Sequence, residues 1–200
     1  LWVALPAAML VGAFFGLLAG IPALRLRGFY LGITTLAIQS IVTVAATRYQ
    51  SWLQQNYATS SDISLPNPDL GFIQLTTPTS WYYFLAIIAA AAILVSANLR
   101  RSKYGRAWTA VRTREVAAQA VGLDIRYAKL LAFVVAAIFG AVAGAAHAYT
   151  FTTVRIESYD LLLSVEYLAM IIIGGLGSVT GAVLGAGFVT VTPFAVAELL

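Results

Sequence analysis

Long apolar runs almost free of charge recur along this chain, at about 3–23, 29–47, 81–99, 129–150 and 167–200. A helix rising about 1.5 Å per residue needs roughly 20 apolar residues to cross a hydrocarbon core of about 30 Å. The runs meet that length, which a soluble core helix rarely needs. With 60% hydrophobic and 10% charged residues, the chain lies well outside the soluble average. The expected fold class is therefore all-α, a polytopic membrane helix bundle of about five to six apolar segments. The last run is too long for one simple span and holds Gly174, Gly175, Gly177, Gly181, Gly185 and Gly187. A Gly-broken helix is expected there, with the break at 174–177. It must be covered by protein or face water, because unpaired backbone groups in lipid cost several kcal/mol each. The chain starts and stops inside apolar runs without an initiator Met, so 1–200 is expected to be a fragment rather than a chain with a signal peptide.

Basic residues orient the bundle, since they are retained on the cytoplasmic side more strongly than acids are. Arg100, Arg101, Lys103, Arg106, Arg112, Arg114, Arg126 and Lys129 are eight of the twelve basic residues and lie between the third and fourth runs. That connection is expected to be cytoplasmic, and the link holding Arg25 and Arg27 falls on the same side if each run crosses once. The segments 48–80 and 151–166 are expected outside. Trp81, Tyr82 and Tyr83, with Trp52 and Tyr57, fit an interfacial aromatic belt. Pro66, Pro68 and Pro78 favour turns in the first external segment, read either as a cap over a pathway or as an ordinary solvated connection. The net charge of +4 is thus a topology signal, and no basic patch interleaved with stacking aromatics points to nucleic acid.

Small residues at four-residue spacing recur as Gly12, Gly16 and Gly20, as Gly28 and Gly32, as Gly140 and Gly144, and as Gly177, Gly181 and Gly185. Such stripes let helices approach closely where lipid supplies no hydrophobic force between them. Thr34, Thr35, Gln39, Ser40 and Thr43 place polar groups at membrane depth. They either satisfy one another and backbone carbonyls or line a substrate passage. No Asp or Glu lies at mid-membrane apart from Glu198 near the chain end, so an ion-coupled transporter lacks its usual ionisable relay and an external energy source is expected.

Cysteine is absent, which removes disulfides, thiol nucleophiles and Cys metal sites. His147 is the only histidine and has no ligand partner at helical spacing, so no metal or other cofactor is expected. Neither a G-x-S-x-G turn nor paired carboxylates in the apolar runs supports catalysis. The run from Gly174 to Gly181 lacks the Lys-Ser/Thr ending of a phosphate loop.

Residues 100–128 are more than a basic connector. From 107 to 121 they are rich in helix formers, without Pro or Gly, and stop before Gly122, which suits a left-handed cap. One amphipathic helix is expected, with Trp108, Val111, Ala118 and Val121 on roughly one face and Arg112, Arg114 and Gln119 elsewhere. It would rest on lipid headgroups or fit a groove of a soluble partner.

The run from Tyr104-Gly-Arg-Ala-Trp to Ala120-Val-Gly-Leu-Asp, followed by Tyr127-Ala-Lys-Leu-Leu-Ala-Phe and the Gly140/Gly144 span, resembles the cytoplasmic loop and next helix of LivM-type permeases of branched-chain amino acid ABC transporters. Leu26-Arg-Gly-Phe-Tyr-Leu-Gly-Ile-Thr-Thr-Leu-Ala and Ile173-Gly-Gly-Leu-Gly-Ser-Val-Thr-Gly are similar to that family in the same order, so the likeness covers roughly 24–190. The resemblance implies a piece of one transmembrane permease domain in a prokaryotic inner membrane, not itself an enzyme. It implies cytoplasmic ATP-binding subunits, a related permease subunit and an external solute-binding protein as partners, beside the lipid bilayer. The loop at 100–128 would be a coupling segment docked on the ATPase through Arg112, Glu115, Ala117, Ala118 and Gly122, although Glu115 stands one residue further from Gly122 than in the broader importer pattern. Thr34, Thr35 and Gln39, with the break at Gly174, Gly175 and Gly177, become substrate-pathway candidates. The region at 58–68 lacks the Gly-Gly and Asn-Gly turn common in LivM-like chains, so branched-chain amino acids are the expected cargo beside urea, short amides or other small polar solutes. A secondary transporter or channel, and a non-transport membrane scaffold, are the alternatives.

Overall fold

The computed structural model describes residues 3–24, 29–57, 63–64, 78–151, 153–154, 159 and 161–199. The chain divides into two compact units, Leu1–Val154 and Arg155–Leu200. The first contains α1 (Ala4–Ala23), α2 (Phe29–Tyr57), β1 (Ile63–Ser64), α3 (Pro78–Arg101), α4 (Lys103–Thr113), α5 (Glu115–Ala120), α6 (Ile125–Phe151) and β2 (Thr153–Val154); the second contains α7 (Leu161–Gly174) and α8 (Val179–Leu199). Among the described residues, four helices are long and apolar enough to cross a membrane, at Ala4–Ala23, Thr79–Arg101, Ile125–Phe151 and Val179–Glu198. Together with α2 over the remaining apolar run, they form the polytopic helical architecture that the run lengths call for. Large apolar side chains such as Leu10, Phe14, Ile87, Leu94 and Phe188 face outward, as lipid rather than water would allow.

Two element boundaries differ from expectation. The helix α2 does not stop near 47 but continues to Tyr57, because no Gly or Pro interrupts it and its polar groups find partners locally. The Asn56 amide donates to the Trp52 carbonyl at 2.9 Å, and the Trp52 ring stacks on Tyr49. At the other side of the connection, Pro78 opens α3 instead of lying in a loop, which suits a residue without an N–H at a helix's first position. Arg25, Arg27, Gly28, Pro66 and Pro68 lie outside the described residues, as does the rest of 58–77 apart from Ile63–Ser64.

The first unit is held by an antiparallel seam between α1 and α6, in which rising positions on one helix meet falling positions on the other. A methyl group placed on Gly12 would stand 2.6 Å from the Ala141 Cβ, and one on Gly16 would stand 2.8 Å from the Ala137 Cβ and 2.9 Å from the Val134 Cα. One on Gly20 would meet the Leu130 Cδ1 at 2.8 Å. The first glycine stripe therefore serves close approach, and the seam gains from dispersion between facing backbones. The described glycines of the other stripes in this unit do not: Gly32 and Gly140 have nothing within 4 Å of such a methyl group, and neither does Gly144. Spacing alone does not show whether a helix happens to cross at that face.

Two ends of this unit can be told apart. At one, β1 pairs antiparallel with β2, Ile63 opposite Val154 and Ser64 opposite Thr153, and the Trp81 indole N–H donates to the Thr150 hydroxyl at 2.9 Å. Both segments expected outside the membrane thus meet at one end. At the opposite end, the close of α1 lies beside the start of α6, where the basic connector also arrives.

In the second unit α7 and α8 form a tight hairpin, and the expected break is present. Gly175 (φ +97°) and Gly177 (φ +90°) adopt the left-handed conformation in the turn. The Ser178 hydroxyl then caps α8 by accepting from the Gly181 N–H at 3.1 Å. With 14 residues, α7 is about 21 Å long and too short to span alone. The hairpin seam differs from the expected stripe, since Gly174 on α7 meets Gly181 and Gly185 on α8, whereas Gly177 serves the turn.

Candidate functional site

The connector between α3 and α6 folds into a compact step in which each turn has a local cause. α3 ends at Arg101, and the Ser102 hydroxyl donates to the Leu99 carbonyl at 2.6 Å while accepting from the Gly105 N–H at 3.4 Å to start α4. Gly105 is buried beneath that corner, where a side chain would collide with the Leu99 and Arg100 carbonyls. α4 ends at Arg114, an extended residue (φ −152°, ψ 103°), and α5 follows at once. The single amphipathic helix expected over 107–121 is therefore two helices. In a straight helix Val111 and Ala118 would stand about 10 Å apart along the axis. The extended Arg114 lets both converge on the patch formed by Ile125 and Ala128.

The close of α5 is a complete capping motif. Gly122 (φ +85°) donates to the Gln119 carbonyl at 2.9 Å, and Leu123 donates to the Ala118 carbonyl at 3.1 Å. Asp124 then starts α6, its carboxylate accepting from the Arg126 and Tyr127 N–H groups at 2.9 and 3.2 Å. Nothing lies within 4 Å of a methyl group at Gly122, so its glycine requirement is conformational, not steric. Gly122→Ala is expected to cost about 1–2 kcal/mol, the penalty of the left-handed region for an L-residue. A thermal unfolding midpoint unchanged from wild type would reject this cap.

Around this step, Trp108, Ala110 and Leu123 pack against the buried Val111, Ala118, Ile125 and Ala128. The Trp108 indole N–H donates to the Ala128 carbonyl at 2.8 Å. The Lys129 ammonium pairs with the Glu115 carboxylate at 2.6 Å. Open grooves flank the Trp108 ring on both sides. One, of about 430 Å3, is bordered by Val111, Arg112, Glu115 and Lys129; the other, of about 370 Å3, by Lys103, Tyr104, Leu123 and Tyr127.

The docking candidates are brought together on this step but do different things. Ala118 is only 4% exposed and lies under α5, whereas Ala117 and Gly122 are exposed on it. Glu115 is half-buried in its ion pair, and Arg112 is exposed in the last turn of α4. Val121 leaves the face expected for it, because it is the cap residue at which the chain turns back toward α6. It is 83% exposed, and Val116 is 79% exposed. Val116, and the pairing of Lys129 with Glu115, escaped the sequence reading. An apolar residue beside Glu115 was visible there, but its outward direction depends on the break at Arg114.

The pathway candidates divide between the units. On α2, Thr34 donates to the Tyr30 carbonyl at 2.9 Å and Thr35 to the Gly32 carbonyl at 2.8 Å. Both are half-buried, as is Gln39, whose carbonyl accepts from the Thr43 hydroxyl at 3.0 Å. The two threonine hydroxyls thus donate within their own helix, which is compatible with either reading considered for these residues. Gly174 lies in the α7–α8 seam, and Gly175 and Gly177 lie in its turn.

A family model described as "Branched-chain amino acid transport system / permease component" matches residues 1–194. The chain is 31% identical over 208 residues to the high-affinity branched-chain amino acid transport system permease protein LivM of Escherichia coli K12, covering 92% of this chain and 48% of that protein. Against the Salmonella typhimurium LT2 protein of the same name, identity is 31% over 214 residues, covering 96% of this chain and 50% of the relative. A probable branched-chain amino acid transport permease protein LivM of Methanocaldococcus jannaschii is 27% identical over 184 residues, covering 89% and 51%. The chain thus spans about half the length of the curated relatives it matches. No solved structure matches it.

Proposed function

Because the chain belongs to the family of branched-chain amino acid transport permease components, we propose that this multi-pass membrane protein is the permease part of an ATP-driven importer in a prokaryotic inner membrane. Branched-chain amino acids are the proposed cargo, delivered by an external solute-binding protein. A related permease subunit completes the pathway, and two separate cytoplasmic subunits hydrolyse ATP. ATP binding by those subunits opens the bundle outward, and hydrolysis resets it to an inward-facing form. The connector at 100–128 is the coupling segment, and Thr34, Thr35 and Gln39, with the break at Gly174, Gly175 and Gly177, belong to the solute pathway.

The observation that supports this best is α5 itself. A six-residue helix held against α6 from beneath presents Val116, Ala117 and Val121 to its surroundings. Exposed valines on a step rich in arginine suit a shallow protein cleft with an acidic rim. Arg112, Glu115 and Gly122 border that surface, while Ala118 supports it.

The test is uptake of radiolabelled leucine by vesicles holding the full-length protein with its ATPase, permease and binding-protein partners. Wild type is expected to require ATP, and Val116→Asp is expected to weaken ATPase co-purification by about 2 kcal/mol or more, as for a buried interface anchor. Because Val116 contributes to no core contact, a folded variant that still retains its ATPase would sink the docking surface. Uptake without any ATPase subunit would instead indicate a secondary transporter or channel.

A further inference from the structure

A helix that merely docks on an ATPase transmits nothing if it hangs on a loose loop. Here α5 follows α4 at Arg114 without a loop and is tied with it to the first two turns of α6. Glu115 at its start pairs with Lys129 at 2.6 Å, Ala118 packs against Ile125 and Ala128, and the Gly122–Asp124 double cap joins its end directly to α6. From α4, the Trp108 indole holds the Ala128 carbonyl at 2.8 Å. The next turns of α6, at Leu130, Phe133, Val134, Ala137 and Ala141, form the close seam with α1. The contacts therefore run without a gap from α5 through α6 to α1.

We infer that Trp108 and Lys129 are positioning residues that make α5, the first turn of α6 and the α1–α6 pair one rigid lever, so that displacement of the docked helix is delivered to two membrane helices together. This rests on the importer reading above. The Lys129–Glu115 pair is about one quarter to one third exposed, so solvent screening leaves it little to add to stability. Its contribution lies in direction: it fixes the start of α5 on the side opposite the Gly122 cap. Trp108 acts from the remaining side, its ring filling the space between two grooves that would otherwise let α4 slide along α6.

The experiment measures leucine uptake and ATP hydrolysis separately in vesicles containing the complete transporter, with ATPase co-purification as the assembly control. For Lys129→Met, and for Trp108→Phe, which puts a smaller aromatic ring in place of the indole and removes the donor, uptake per ATP hydrolysed is expected to fall roughly fivefold or more, the scale of a working coupling free energy. Lys129→Arg, which leaves Glu115 untouched and keeps a cation for it, is expected to keep most of the wild-type ratio. Wild-type ratios in Lys129→Met and Trp108→Phe overturn the lever, as does a Lys129→Arg protein that assembles yet is as uncoupled as Lys129→Met. If Lys129→Met does not assemble, Trp108→Phe and Lys129→Arg decide. A wild-type complex without ATP-dependent uptake overturns the importer reading and the lever with it, whereas a coupled wild type with equally coupled variants overturns the lever alone.

Discussion

Gly181→Ala is expected to open the α7–α8 hairpin. A methyl group there would land on the Gly174 carbonyl oxygen and close to its carbon, both backbone atoms that cannot rotate aside. The two helices would have to separate, and the neighbouring contact of Gly185 with the Met170 carbonyl and the Gly174 backbone would be lost with the first. Overpacking at a rigid site costs about 3 kcal/mol or more, the upper end of the usual range. Each helix keeps its own backbone hydrogen bonds in lipid or detergent, so the loss is tertiary. Protease resistance at the 175–178 turn and the thermal midpoint in detergent should both fall. Gly187→Ala, on the same helix with open space around it, should be neutral or up to about 1 kcal/mol stabilising, since alanine is the better helix former. Equal behaviour of the two variants would reject the close approach.

Gly16→Ala is expected to do the second largest damage, and its size should exceed that of Gly20→Ala on the same face. At Gly16 the new methyl group meets the Val134 Cα at 2.9 Å and the Phe133 carbonyl oxygen at 3.1 Å, so α6 itself must move. At Gly20 the nearest atom is the Leu130 Cδ1 at 2.8 Å, the far end of a side chain that can change rotamer. A cost of about 2–3 kcal/mol for the former and below about 1 kcal/mol for the latter follows from which neighbour can yield. Thermal unfolding of both variants in detergent measures the difference, and a reversed order would show that α1 and α6 do not meet along this face. The seam also matters to the lever, because α1 is driven only as far as it is fixed to α6.

Several features need no tertiary structure to be read. The membrane-spanning lengths of α1, α3, α6 and α8, the break at 174–177 and the left-handed cap at Gly122 are local consequences of apolar run length and of where glycine stands. A bilayer imposes one thickness and forbids unpaired backbone, so such signals carry further here than they would in water. The alternation of basic and acidic connections is likewise a property of the chain in order.

What only the tertiary structure decided is which of several equivalent-looking signals is used. Gly12, Gly16 and Gly20 form a seam while Gly140 has open space, although both patterns have the same spacing; the difference is whether another helix crosses there. Helix propensity over 107–121 favours one helix, but bringing Val111 and Ala118 onto one patch of α6 outweighs it and breaks the helix at Arg114. That break turns Val116 and Val121 outward, buries Ala118 and places Glu115 on Lys129. Run length, caps and glycine turns are set within a few residues and so are written in sequence. Faces, seams and ion pairs depend on where a distant helix returns, and only the folded chain brings it back.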